Sequence, residues 1–299
     1  MIRCRVATSI QQAFVKLKEN LEITNLQTTV VSARQNHVRD VVEAEMTVLD
    51  TFLTGSYVRS TMIAPLKEAD VDVFVVLDAK YFHHYDKGKN GGQAGLLDLL
   101  KRTLRRTFTR TPDISRSGQA VTIRFDDFIV DVVPGFNRQG GGYLIPNSIT
   151  QKWISTNPKT HVDLISSQNK WHDGSLVPLI KMIKAWNKSH DGFFRSFHLE
   201  VMAYRALAGV KISDFPAGVR FYFGKAQTMI SEVNLDPAGY GGDIRSYLDT
   251  PTKIQESRVR FQRAYEQAMR AEQYSNRGAI SDSMRIWKLI FSDYFPAYG

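Results

Sequence analysis

Residues 55–77 read GSYVRSTMIAPLKEADVDVFVVL. Val71 to Leu77 form an unbroken β-branched and apolar run, which predicts a buried strand. Asp70 and Asp72 open and interrupt that strand. Residues two apart on a strand point to the same face, so the two carboxylates lie side by side. That arrangement is costly unless a cation sits between them. Upstream, Gly55-Ser56 marks a turn into a short polar helix over 57–63, stopped near Pro65. A glycine that lets the backbone approach closely, followed by a helix start, is a phosphate cradle, and Ser56 adds a hydroxyl donor. A cradle ahead of a two-carboxylate strand suits a nucleoside triphosphate with two metals. One metal activates the attacking hydroxyl, and the other holds the triphosphate and its leaving pyrophosphate.

Working outward, the strand FIVDVV (residues 128–133) places a third carboxylate, Asp131, in apolar company. Asp126 and Asp127 compete for the same role, but they sit in the turn of a predicted hairpin (120–125 and 128–133). There Asp is common for local hydrogen bonding. If the two aspartate strands are neighbours, three carboxylates converge, and an oxygen-only set suits Mg2+ or Mn2+. A strand is expected over 48–53, and polar loops over 83–95 and 135–146. The latter holds Gly140-Gly141-Gly142, which is no dinucleotide fingerprint because no suitable βα unit follows. Helices are expected over 6–21, 32–45, 96–108, 157–166, 175–190, 197–208, 251–273 and 280–291. The chain is thus α+β, with a mixed part (1–150) and a mostly helical part (151–299) meeting near Gln151.

Composition narrows the classes. The 299 residues carry 39 Lys and Arg against 30 Asp and Glu, a formal charge of +9, which favours an anionic partner such as nucleotide or nucleic acid. Cys4 is the single cysteine, so an internal disulfide is excluded and a cysteine-based zinc site nearly so. The seven histidines show no metal-binding spacing such as H-E-x-x-H. No apolar run approaches the roughly 18 residues of a membrane span. The early arginines leave room for an organelle transit peptide, but a first helix in a cytoplasmic protein is the reading taken.

The run 55–77 resembles the GS…DxD signature of DNA polymerase β-like nucleotidyltransferases, and within them most resembles the bacterial CD-NTases. Supporting stretches are FIVDVVPGF (128–136), WISTNPKTHVDLI (153–165), LVPLIKMIKAWN (176–187), RSFHLEVMAY (195–204), LDPAGYGG (235–242) and WKLIFSDYFP (287–296). The interval around Lys67-Glu68-Ala69 is slightly longer than usual. The resemblance implies a polymerase β-like catalytic core and a helical, oligoadenylate-synthase-like half, bilobal with the active site in the cleft. It assigns Asp70, Asp72 and Asp131 to metal binding and catalysis. It assigns Gly55, Ser56, Lys184 and Ser196 to the triphosphate, with Lys181 a second lysine candidate. It implies Mg2+, nucleoside triphosphate substrates with ATP among them, and a cyclic di- or oligonucleotide product that reaches a separate effector. The implied setting is bacterial anti-phage defence, with an activating ligand or regulatory protein as a further partner. The zinc thumb of the animal relatives has no cysteines to build it here.

Plainer readings stand beside these. Lys181, Lys184 and Lys188 recur at helical spacing and equally describe a solvated basic face. Arg59 beside the turn touches phosphate or caps a helix, and Tyr240 stacks a base or belongs to a plain turn. Arg102, Arg105, Arg106 and Arg110 make a basic helix that binds a polyanion or simply faces water. Two other functions remain open: a template-independent RNA nucleotidyltransferase, and a non-catalytic nucleotide- or RNA-binding module.

Overall fold

The computed structural model describes residues 6–110 and 113–299; Cys4 lies outside them. In chain order the elements are α1 (Ile10–Leu21), α2 (Asn25–Glu43), β1 (Val48–Thr54), α3 (Gly55–Val58), β2 (Asp70–Leu77), α4 (Ala79–Tyr85), α5 (Gly92–Thr107), β3 (Ile114–Ser117), β4 (Ala120–Arg124), β5 (Ile129–Asn137), β6 (Tyr143–Asn147) and β7 (Lys152–Thr156). Helices follow: α6 (Pro158–Trp171), α7 (Leu176–Ser189), α8 (Ser196–Ala206), α9 (Phe215–Met229), α10 (Pro251–Asn276) and α11 (Ile280–Phe291). None of the described helices is long and apolar enough to cross a membrane.

The chain divides into two compact units. One runs Ile23–Asp163 and takes in Ala238–Gly241; the other comprises the chain through Glu22, Leu164–Pro237 and Gly242–Gly299. The sequence division at Gln151 therefore differs in two respects. The unit change falls inside α6, and α1 joins the helical unit. The reason for the second is packing: Phe14 of α1 meets Trp287, Phe291 and Phe295 edge-on at 4.9–6.0 Å between ring centres.

The first unit is built on a mixed sheet ordered β1-β2-β5-β4-β3, with β6 and β7 continuing from the far part of β5. β2 and β5 are parallel, with Asp72 opposite Asp131; β1 and β4 flank them antiparallel. Alternation sorts the side chains. Val71, Val73, Val75 and Leu77 enter a core with Val130 and Val132, closed by Val31, Val38 and Val42 of α2 and Leu96, Leu97, Leu100 and Leu104 of α5. A Thr24–Gln27 capping box starts α2. The other face carries Phe74 and Val76 under Tyr143 and Ile145. Asp70 and Asp72 belong to that second face, at its end.

Several expected loops are ordered elements. The 135–146 segment is strand, turn and strand, because β5 runs on to Asn137 and pairs with β6. Gly140-Gly141-Gly142 is the turn between them, closed by Arg138 N–H to Gly142 O at 3.1 Å. The expected 83–95 loop begins inside α4, which Asp78 caps by accepting the Lys80 N–H at 2.8 Å. The short helix near the Gly-Ser turn spans Gly55–Val58 and not 57–63.

The helical unit is centred on α7, whose residues from Leu176 to Asn187 are all buried. Trp186 stacks with Phe194 and Phe261 at 5.7 and 5.2 Å. This helix has no water-facing lysine stripe: Lys181 and Lys184 are 4% and 6% exposed. α9 escaped the periodicity reading. It holds two glycines, and the edge of Tyr265 on α10 lies where a Cβ on Gly224 would need room, 3.1 Å away.

Candidate active site

β1 delivers the chain to its turn with Thr54 opposite Asp72. The next residue, Gly55, adopts φ 71°, a left-handed conformation that glycine tolerates. A Cβ there would fall 1.8 Å from Asp72 Oδ2, so the Asp72 carboxylate lies directly against the Gly55 backbone. The sequence assigns Gly55 to close approach by phosphate; in the structure its first neighbour is a carboxylate. The chain then folds back onto Ser56, whose carbonyl accepts the Thr61 and Met62 N–H groups at 2.9 and 3.0 Å. Thr61 is fully buried and Arg59 nearly so, which ties the turn to the body of the unit.

Strand register now fixes the carboxylates. Asp70 and Asp72 share a face of β2, and Asp131 stands opposite Asp72 in the parallel partner. Paired residues of adjacent strands have Cα atoms about 4.8 Å apart. Thr122, opposite Asp131 on β4, donates its hydroxyl to Asp131 Oδ1 at 2.6 Å. The distance is that of a charge-assisted bond and fixes one carboxylate oxygen. Thr122 was missed from the sequence, although a polar residue in the apolar run AVTI was its signal. Asp127 does not compete: its carboxylate pairs with Arg34 at 2.9 Å.

These residues suit a hard divalent cation by chemistry: oxygen donors only, on one strand face, half-exposed or exposed. As the side chains stand, no group of three or more His, Cys, Asp or Glu is gathered for a metal among the described residues. The backbone positions are already adjacent, so rotation of carboxylate side chains is the movement that would close the set.

Lys181, Lys184 and Ser196 belong to the helical unit. Lys184 on α7 pairs with Glu200 on α8 at 3.1 Å, both buried. Lys181 pairs with the half-exposed Glu22 at 2.6 Å. Ser196 is exposed at the first position of α8. The start of α8 is braced by Tyr247, whose hydroxyl accepts the Arg195 N–H at 3.3 Å and lies 3.0 Å from His198 Nδ1. Burial pushes the His198 imidazole down to about 4 and the Tyr247 phenol up to about 12. His198 is therefore a neutral packing residue at pH 7.

Tyr240 is half-buried in the sheet-bearing unit, against Gly142 and beneath Arg138, whose guanidinium lies 5.2 Å from the ring centre. Of the basic helix, Arg105 reaches the Ile114 carbonyl at 3.1 Å and Arg106 pairs with Glu45 at 2.6 Å.

Comparison with known proteins places the chain in a family and a fold. Residues 8–169 match the Second Messenger Oligonucleotide or Dinucleotide Synthetase domain. The chain is 23% identical to a cyclic AMP-AMP-AMP synthase of Acinetobacter over 313 residues, covering 98% of this chain and 87% of that protein. In fold it is similar to the Vibrio cholerae di-nucleotide cyclase DncV (TM-score 0.73, 13% identity, 97% of each chain). It is similarly close to the Bradyrhizobium diazoefficiens CD-NTase CdnG in complex with GTP (TM-score 0.71, 13% identity, 95% of each chain).

Proposed function

The chain belongs to the Second Messenger Oligonucleotide or Dinucleotide Synthetase family, and from that premise we propose that it is a Mg2+-dependent nucleotidyltransferase that joins nucleoside triphosphates into a cyclic oligonucleotide. The observation that carries the reading is the meeting of Asp72 with Asp131 across β2 and β5, with Gly55 backed against the Asp72 carboxylate. No structural role needs two aspartates in register at an open sheet end beside a phosphate-type turn.

In this reading Asp70, Asp72 and Asp131 hold Mg2+, with Mn2+ as a substitute, which supplies charge neutralisation at the triphosphate and a lowered pKa for the attacking hydroxyl. Asp131, fixed by Thr122, accepts the proton of the ribose hydroxyl. The hydroxyl oxygen forms the new bond to the α-phosphorus, and the bond to pyrophosphate breaks. The Gly55-Ser56 turn binds the triphosphate through backbone N–H groups and the Ser56 hydroxyl. In the helical unit, the family resemblance assigns Ser196 and Lys184 to triphosphate binding, and Glu200 pairs with the Lys184 ammonium. Much of the rate then comes from positioning and charge stabilisation. The Acinetobacter relative's name makes adenine nucleotides the first substrates to offer. The product signals to a separate effector, the anti-phage arrangement that the family resemblance implies.

The test is incubation with all four nucleoside triphosphates and Mg2+, followed by mass spectrometry of nuclease-treated products. A cyclic, phosphatase-resistant product is expected, lost by at least about 10³-fold in the double variant Asp70→Ala, Asp72→Ala. Extension of added RNA with no free cyclic product overturns the reading.

A further inference from the structure

The helical unit contains a cavity of about 230 Å3 where the starts of α1 and α9 meet the end of α10 and the side of α11. Asp214, Glu272, Ser275 and Trp287 are among the residues that line it. All of its lining residues belong to the helical unit, whereas Asp70, Asp72 and Asp131 belong to the sheet-bearing unit. Sites for drug-sized ligands enclose about 300–1,000 Å3, so this smaller cavity suits a single small ring.

Two polar groups at this cavity are buried without partners. Trp287 is fully buried, with Phe14 edge-on at 4.9 Å and Phe291 stacked at 6.1 Å between ring centres. These aromatic neighbours pack on its carbons, and its indole N–H has no acceptor among the described residues. On α10, Glu272 Oε2 accepts the Arg220 Nε–H at 2.7 Å. Its other oxygen, Oε1, is shut off from solvent and has no donor among the described residues. Burial, opposed by Arg220, raises the Glu272 carboxyl above its ordinary range. A buried donor and a buried acceptor left unpaired are costly unless a ligand supplies what each lacks. That ligand must carry both an acceptor and an N–H donor. Charge narrows it further. Two carboxylates, Asp214 and Glu272, line the cavity and no described lysine or arginine does, so an anionic ligand is repelled. Ile10, Pro216 and Ala217 supply an apolar wall for a ring.

We propose that this cavity binds a small uncharged ring compound with an amide-type edge, its acceptor on the Trp287 indole N–H and its N–H on Glu272 Oε1. Aromatic carboxamides and free nucleobases have that edge and size; nucleotides, with their phosphates, are turned away. The site gives the protein a place to bind a small molecule other than the triphosphates proposed for the aspartate face.

The Trp287 indole N–H resonance is the reporter, because it moves when an acceptor reaches that N–H. The full-length protein is labelled with 15N, and the resonance is identified by its loss in Trp287→Phe and by its displacement in Ser275→Leu. Nicotinamide, nicotinate, adenine and AMP are titrated without Mg2+. A saturable shift with nicotinamide or adenine is expected. Nicotinate, with a carboxylate in place of the carboxamide, and AMP, with an added phosphate, are each expected to bind at least about ten-fold more weakly than their uncharged counterparts. Ser275 is half-buried on α10, and Ser275→Leu fills the cavity without entering the aromatic core. Ala217→Leu fills it from the α9 side. Each is expected to weaken the shift by about ten-fold or more. No saturable shift with either uncharged probe, an equal response to nicotinate, or unaltered binding in both filling variants overturns the proposal.

Discussion

The aspartate face of the sheet and the lysines Lys181 and Lys184 of α7 place their charges by opposite means. Asp70, Asp72 and Asp131 sit at a strand end, partly exposed and of like charge, and are brought together by backbone register. Lys184 sits in the most buried helix of the protein and is neutralised across helices by Glu200. The first arrangement is poised for a cation from outside; the second supplies its own counter-charge. On the proposed function, replacing the carboxylates is expected to cost little stability and much activity, whereas the buried pair is coupled to folding itself.

The largest effect should come from Gly55→Ala. The added Cβ displaces the Asp72 carboxylate, so kcat is expected to fall by at least about 10³-fold, equivalent to about 4 kcal/mol of barrier. Thermal unfolding should register a smaller loss of about 1–2 kcal/mol for the left-handed backbone. Retention of wild-type kcat would show that Asp72 needs no such contact.

Lys184→Met should destabilise the fold by about 3–4 kcal/mol in urea unfolding, since the buried Glu200 carboxylate loses its Lys184 counter-charge. Adding Glu200→Leu should restore most of that stability without restoring activity. If the double variant stays as unstable as the single one, the pair is not the source of the loss.

His198 gives the next effect. Burial, with Arg245, Arg205 and Arg195 nearby and only Asp243 opposing them, lowers its folded pKa to about 4. The unfolded chain binds the proton first, so stability is unaffected above pH 6.5 and falls as pH drops from 6.5 to 4. The loss attributable to His198 is about 3 kcal/mol across that window. The difference in unfolding free energy between wild type and His198→Phe, followed from pH 7 to 4, should shrink accordingly; a constant difference removes His198 from the pH response.

Thr122→Val is the mildest. It removes one bond to a carboxylate, of about 1.5–2 kcal/mol, and is expected to lower kcat by about ten-fold with KM little changed. Rescue by Thr122→Ser would identify the hydroxyl as the cause, and an unchanged kcat in Thr122→Val would remove it from the reaction.

Much of the site was legible because it is local. The strand run after Asp70 fixes the face shared by Asp70 and Asp72, and Gly55-Ser56 announces the turn. β6 and β7 were not legible, because Gly135 and Gly140-Gly141-Gly142 signal a loop. Strand β5 runs through Gly135 because a Cβ there would strike the Phe74 ring at 2.5 Å, and that ring packs against Tyr143. The Lys184 pairing was hidden for a similar reason: helical spacing gives a face, but not what covers it.

The sequence by itself determined the local geometry: two carboxylates on one strand face, a turn that admits close approach, and a basic single-cysteine chain. The sequence also favoured Asp131 over the turn residues Asp126 and Asp127; tertiary structure supplied its register. Asp126, Asp127 and Asp131 lie within six residues, and only the parallel pairing of β2 with β5 puts Asp131 opposite Asp72 while Arg34 takes Asp127. It also decided that Lys181 and Lys184 of α7 are buried. Both outcomes depend on contacts between residues far apart in the chain, where periodicity carries no information and burial, register and charge pairing decide.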